Sequence, residues 1–247
     1  MTENAQPKLP VSVRSAQWAG PDSIATEVSG LIHYVRLPEN ATADRRVPLV
    51  VLSHGWAGDE TAMWVFARLV PPGTAIVAPR APRELPHYGG YFWFDYNPYQ
   101  RTAEPQSLAE AVSTLRRFVQ AMPELYPVDP RRVVLVGFSQ GAMVSNALAM
   151  THPQLMRGVA SLAGAAVSLP PSLPPVDSLA GFPVFIAHGT EDEMVPPVAA
   201  RETRDWFARL GANVTYGEYP IGHKMNSAAM RDLQHWLSQV IGDTDFQ

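Results

Sequence analysis

Apolar runs of strand length recur along the chain, and most are followed by a stretch with apolar residues at helical spacing. VPLVVLS (47–53) is the first clear run, with a helix-like stretch near 60–69 behind it. TAIVAP (74–79) predicts the next strand and SLAEAVSTLRRFVQAM (107–122) a helix. RRVVLVGF (131–138) predicts a strand that passes into a helix over SQGAMVSNALAM (139–150). GVASLAG (158–164) and FPVFIAHG (182–189) predict two more strands. A helix over 197–210, a strand at NVTYGEYP (213–220) and a final helix over NSAAMRDLQHWLSQVI (226–241) complete the pattern. Strands with no polar alternation are buried on both faces. Strand alternating with helix therefore predicts an α/β fold, its mostly parallel sheet covered on both sides.

Ahead of this rhythm, VSVRSAQW (11–18) and LIHYVRLP (31–38) alternate only partly and flank the turn signal GPDS. They predict an antiparallel pair at one edge of the sheet. Residues 1–10 read as a loose tail and 11–247 as one domain, with no repeat and no interdomain linker. SLPPSLPPVDSL (168–179) is too short to link domains of this size and predicts a loop over one end of the sheet.

The composition narrows the function. At 247 residues and 46% hydrophobic, the chain can bury a large core, and α/β chains of this length often form one domain. The 24 prolines sit mostly at element boundaries, as in ordered loops rather than disorder. A net charge of −4 speaks against the basic face that nucleic acid requires. With no cysteine, disulfides, thiolate metal sites and a cysteine nucleophile are excluded. The histidines form no H-x-x-x-H pair, so no metal site is expected. MTENAQPKLP lacks the basic-then-apolar pattern of a signal peptide, and no apolar run approaches the roughly 18 residues of a spanning helix. The expectation is a cytoplasmic protein without a membrane span.

The chemistry concentrates at GFSQG (137–141), which fits G-x-S-x-G at a predicted strand-to-helix turn. Such a turn strains the serine backbone and lifts its hydroxyl clear of the sheet, and small residues are required where strand and helix crowd together. Ser139 is the candidate nucleophile. A serine hydroxyl needs a general base, and the base needs an orienting carboxylate; on this architecture they follow in the order Ser, Asp or Glu, His. AHGTEDEMVPP (187–197) and IGHKM (221–225) follow the last two strands. They offer Asp192 as the acid, with Glu191 and Glu193 as rivals, and His223 as the base, with His152, His188 and His235 as rivals. A histidine base predicts a rate that rises with one ionisation in the histidine range. The oxyanion of the tetrahedral intermediate needs backbone donors. Gln140, next to the nucleophile, supplies one N–H, and Trp56 in the His-Gly turn of LSHGWAGDE (52–60) supplies the second.

Taken together, LSHGWAGDE, GGYFWFD (89–95), GFSQGA, HGTEDEMVP and GH resemble the phospholipase/carboxylesterase family of α/β-hydrolases, from about residue 47 to 240. The resemblance implies a Ser-His-Asp hydrolase with no metal or organic cofactor, acting as a monomer or a homodimer on a small acyl ester or thioester. It carries Ser139, Asp192 and His223 into the triad and Trp56 and Gln140 into the oxyanion hole. Trp56 stands where the family has a smaller aliphatic residue, which would shorten the acyl pocket. HYGGYFWFDYNPY (87–99) reads equally as a loop packing its own rings and as a wall of the substrate site, with Trp93 and Phe94 as the binding residues. No insertion is long enough for a cap domain, so the site is expected to be open, with the 165–180 loop as a partial rim.

These features predict a serine carboxylic-ester hydrolase for short to medium acyl chains. Its rivals are a thioesterase or lysophospholipase for longer chains, a peptidase or acyltransferase, and a non-catalytic binding module. The last would have lost a member of the triad, and all three residue types are present in order.

Overall fold

A computed structural model describes residues 16–242 of the chain. The expected tail at 1–10 and the first half of the 11–18 strand lie outside the described residues. The strands of the main sheet and two small hairpins, in chain order, are β1 (Gln17–Ala19), β2 (His33–Arg36), β3 (Val47–Ser53), β4 (Ala75–Pro79), β5 (Arg83–Glu84), β6 (Tyr91–Phe92), β7 (Tyr96–Asn97), β8 (Thr102–Ala103), β9 (Val128–Phe138), β10 (Gly158–Leu162), β11 (Pro183–Gly189) and β12 (Asn213–Tyr219). The helices are α1 (Ile24–Ser29), α2 (Pro105–Leu125), α3 (Gln140–Thr151), α4 (Pro197–Arg209) and α5 (Ser227–Gly242), with a 3₁₀ segment at Ala62–Leu69.

The eight-stranded sheet has the order β1-β2-β4-β3-β9-β10-β11-β12. From β4 to β12 every neighbouring pair is parallel, while β1–β2 and β2–β4 are antiparallel. The predicted antiparallel edge is therefore present. Pro48 inside β3 falls where the register with β9 shifts, between Val47 and Leu49, so its missing N–H interrupts no regular ladder.

The continuous apolar runs feed two cores by strand alternation. Leu49, Val51, Val133, Leu135 and Ile186 pack on the face covered by α2, α3 and α4. Val50, Leu52, Val134, Val136 and Phe185 pack on the other face, under α5 and the 3₁₀ segment. Glu104 caps α2, its carboxylate accepting from the N–H groups of Gln106 and Ser107 at 3.1 and 2.6 Å. In the 60–69 stretch Met63, Phe66 and Leu69 are all buried, a spacing of three that suits the 3₁₀ geometry found there better than an α-helix. Among the described residues no helix is long and apolar enough to cross a membrane.

Candidate active site

The parallel strands end together at one edge of the sheet, where loops after their C-terminal ends form the crevice of such folds. β9 delivers Phe138 there, and the chain reverses into α3 through Ser139, held at φ 52° and ψ −119°. A non-glycine residue keeps that conformation only when both sides are pinned. Its N–H donates to Leu162 O at 2.8 Å, and its own carbonyl accepts from Met143 N at 3.1 Å. The two flanking glycines are required by contact. A Cβ on Gly137 would strike the Gly141 carbonyl, and one on Gly141 would strike the carbonyl oxygens of Ser53 and His54.

β11 and β12 bring the other two groups. Their ladder continues past the strand ends, with Thr190 N–H donating to Tyr219 O at 2.7 Å and Glu191 N–H to Ile221 O at 3.0 Å. This stitching fixes the acid loop against the base loop. His223 Nε2 lies 3.0 Å from Ser139 Oγ, and His223 Nδ1 lies 2.7 Å from Asp192 Oδ2. The imidazole packs on Phe138, with ring centroids 5.0 Å apart. Asp192 is 3% exposed, and its second oxygen accepts from the N–H groups of Met194 and Val195 at 3.0 and 2.9 Å. Burial alone would raise its pKa, but the hydrogen bonds from His223 and Val195 N–H outweigh burial and hold it below the usual carboxylate range.

The rivals fall elsewhere. Glu191 and Glu193 are exposed while Asp192 between them turns inward. His235 is exposed on α5, and His152 at the end of α3 has Nδ1 2.8 Å from Thr151 Oγ1. His188 is buried, donates to Val195 O at 2.8 Å and lies 3.4 Å from Asp192 Oδ2. Burial depresses its pKa and keeps it neutral behind the acid.

The His-Gly turn after β3 abuts the nucleophile, since a Cβ on Gly55 would lie 3.2 Å from Ser139 Cβ. The turn is built by His54, whose ring is buried with its pKa lowered by desolvation. Its Nδ1–H donates to Gly55 O at 2.7 Å, and its Nε2 accepts from Ala81 N–H at 2.9 Å. Trp93 braces the same turn, its indole N–H donating to His54 O at 2.8 Å. Trp56 and Gln140, the two expected backbone donors, thus lie on the segments either side of Ser139.

One expectation needs correction. Trp93 is fully buried and does not line the cavity beside Ser139, its indole being turned onto His54 O instead. Phe94 does line it, together with Phe92, Asp95 and Tyr96. The cavity measures about 420 Å³, and Trp56, Leu85, Pro98, Met143, Met194 and Val195 complete its apolar wall. None of residues 165–180 lines it, so the expected partial rim is not part of the cavity wall.

The side chain of Gln140 has a second task that the motif alone did not reveal. Its Oε1 accepts from Trp93 N–H at 2.8 Å and its Nε2 donates to Phe94 O at 2.8 Å. It therefore ties the aromatic wall to the nucleophile turn. Among the described residues no three of His, Asp and Glu converge as a metal-binding group.

Comparison with known proteins adds lineage to this geometry. A family model described as phospholipase/carboxylesterase matches residues 40–241. Acyl-protein thioesterase 1 of Debaryomyces hansenii is 27% identical over 234 residues, covering 87% of this chain and 99% of that protein. A Bacillus cereus carboxylesterase structure superposes with a TM-score of 0.77 at 20% identity, covering 87% of this chain and 97% of its own. A Mesorhizobium loti carboxylesterase structure gives 0.74 at 22%, covering 91% and 99%. At these identities the two structures speak to the fold alone.

Proposed function

The chain belongs to the phospholipase/carboxylesterase family of α/β-hydrolases, hydrolases of the ester-cleaving class, and from that premise we propose a serine carboxylic-ester hydrolase that works through an acyl-enzyme on Ser139. The observation that carries the reading is the relay from Asp192 through His223 to Ser139 Oγ, with links of 2.7 and 3.0 Å, at an apolar cavity.

In the proposed cycle Ser139 Oγ attacks the acyl carbonyl carbon while His223 Nε2 takes the hydroxyl proton. Asp192 accepts from Nδ1–H throughout, which fixes the tautomer and stabilises the imidazolium. The N–H groups of Trp56 and Gln140 receive the negative oxygen of the tetrahedral intermediate. His223 then returns its proton to the leaving alcohol, and the acyl group stays on Ser139 as an ester. Water repeats the sequence on that ester, losing a proton to His223, and releases the carboxylic acid and free enzyme.

A cavity of about 420 Å³ with Trp56 at its wall favours short to medium acyl chains. Thioesters fit the same chemistry, and the similarity to a yeast protein named acyl-protein thioesterase 1 favours them as a second substrate class. The test is active-site labelling. A fluorophosphonate should add one equivalent to the folded protein, on the peptide holding Ser139. A folded protein that takes up no label, or takes it elsewhere, contradicts the proposal.

A further inference from the structure

Resting on the ester-hydrolase reading, we infer that the preferred acyl group is a hydroxyaryl one: a planar ring carrying a neutral hydrogen-bond donor, held in the cavity beside Ser139. The first observation is the wall itself. Phe92, Phe94, Tyr96 and Trp56 supply four aromatic residues to the cavity lining, beside the aliphatic Leu85, Pro98, Met143, Met194 and Val195. Two of these rings brace each other. Phe94 is fully buried and meets Tyr96 edge to face at 6.2 Å and 85°. The backbone between Phe92 and Phe94 is fixed by the two Gln140 side-chain bonds.

Rigid aromatic walls discriminate between ligands of equal size. A planar ring gains edge-to-face or offset contacts beyond its buried area, worth up to about tenfold in binding. An alkyl chain of the same carbon count has more rotors to freeze and gains no such contact.

The second observation is the charge at the wall. Asp95 is the one charged residue lining the cavity. Its Oδ2 pairs with Arg83, whose other terminal nitrogen pairs with Glu110 at 3.0 Å. The Arg83 guanidinium also lies over the Phe92 ring, 6.0 Å from its centroid. Two carboxylates around one guanidinium leave the cluster net negative, and among the described residues no partner occupies Asp95 Oδ1. Both carboxylates are more than half exposed, so the cluster offers an acceptor to a phenolic hydroxyl and repels a substrate carboxylate only as strongly as solvent screening allows.

The test uses methyl esters with one leaving group: 3-phenylpropanoate, 3-(4-hydroxyphenyl)propanoate, 3-(4-carboxyphenyl)propanoate and nonanoate, which matches phenylpropanoate in carbon count. The expected kcat/KM order places hydroxyphenyl above phenyl by about threefold to tenfold. Phenyl should exceed nonanoate, and carboxyphenyl should lie about twofold to fivefold below phenyl. In Asp95→Asn the hydroxyphenyl preference should shrink and the carboxyphenyl penalty should fall. Nonanoate matching or exceeding phenylpropanoate, or ratios that Asp95→Asn leaves unchanged, would overturn the inference. The wild-type series decides the matter alone if that variant fails to fold. p-Nitrophenyl acetate separates the two levels of the argument. Acetate hydrolysed with no aryl preference sinks the hydroxyaryl inference and leaves the esterase standing. No hydrolysis of any ester and no label on Ser139 sinks both.

Discussion

Asp192→Asn isolates the acid from the rest of the site. The asparagine carbonyl can keep the two bonds that Oδ1 now accepts from Met194 and Val195 N–H, at 3.0 and 2.9 Å. Its amide nitrogen then falls where Oδ2 lies, 2.7 Å from His223 Nδ1. An amide N–H can only donate there, so Nδ1 must accept and the imidazole must carry its proton on Nε2. That proton points at Ser139 Oγ, 3.0 Å away, and blocks the acceptor the serine needs. Wrong-tautomer variants of serine triads lose about 10⁴ in kcat, or about 5.5 kcal/mol of transition-state stabilisation. The acid loop keeps its hydrogen bonds, so the thermal unfolding midpoint should barely move. The assay is kcat for p-nitrophenyl butyrate beside a thermal melt of the same preparation. A folded variant within about tenfold of wild type would refute the reasoning. The acid role would then pass to another carboxylate.

Three further outcomes test the scaffold. Gly141→Ala pushes a Cβ into the carbonyls of Ser53 and His54, so both the melting temperature and the activity should drop, by at least the 1–3 kcal/mol typical of overpacking; a variant as stable as wild type would contradict the packing described. Glu60 is 2% exposed and forms a two-bond pair with Arg80 at 2.6 Å, so Arg80→Met should cost about 3 kcal/mol in denaturant unfolding by stranding a buried carboxylate, and a loss under about 1 kcal/mol would count against it. Glu218 is held at a pKa of about 2, below its ordinary 4.5, by hydrogen bonds from Arg201 and Tyr216. Its contribution to stability is therefore complete above pH 4.5 and is lost as pH falls toward 2. Denaturant unfolding of wild type and Glu218→Gln should converge across that window, and a gap that stays constant would assign the acid sensitivity elsewhere.

How much of this was legible beforehand varied with the physics of each segment. Strands buried on both faces read as unbroken apolar runs, so β3, β9, β10 and β11 lie within a few residues of where VPLVVLS, RRVVLVGF, GVASLAG and FPVFIAHG predicted them. The candidate site was legible for the same reason. Ser139 and Asp192 each follow such a strand, His223 follows the mixed edge strand β12, and the sheet brings the three within hydrogen-bonding distance. Short elements carried no comparable signal. The six-residue α1 hides behind GPDS, its Ser23 cap accepting from Thr26 N–H at 3.1 Å. The two hairpins between 83 and 103 consist of two-residue strands, too short for alternation to register. Tertiary contacts were hidden altogether. Nothing in the sequence says that Gln140 grips the backbone of Trp93 and Phe94, or that His54 is locked between Gly55 and Ala81.

The central claim is that Ser139 stands in a strained turn in order to attack acyl carbonyls. Hydrolysis of p-nitrophenyl esters from acetate to palmitate by wild type and Ser139→Ala tests it directly. The account predicts turnover by wild type, strongest on the shorter acyl chains, and loss to background in a variant that remains folded. Turnover that survives Ser139→Ala, or a folded wild type that cleaves none of these esters, would contradict it.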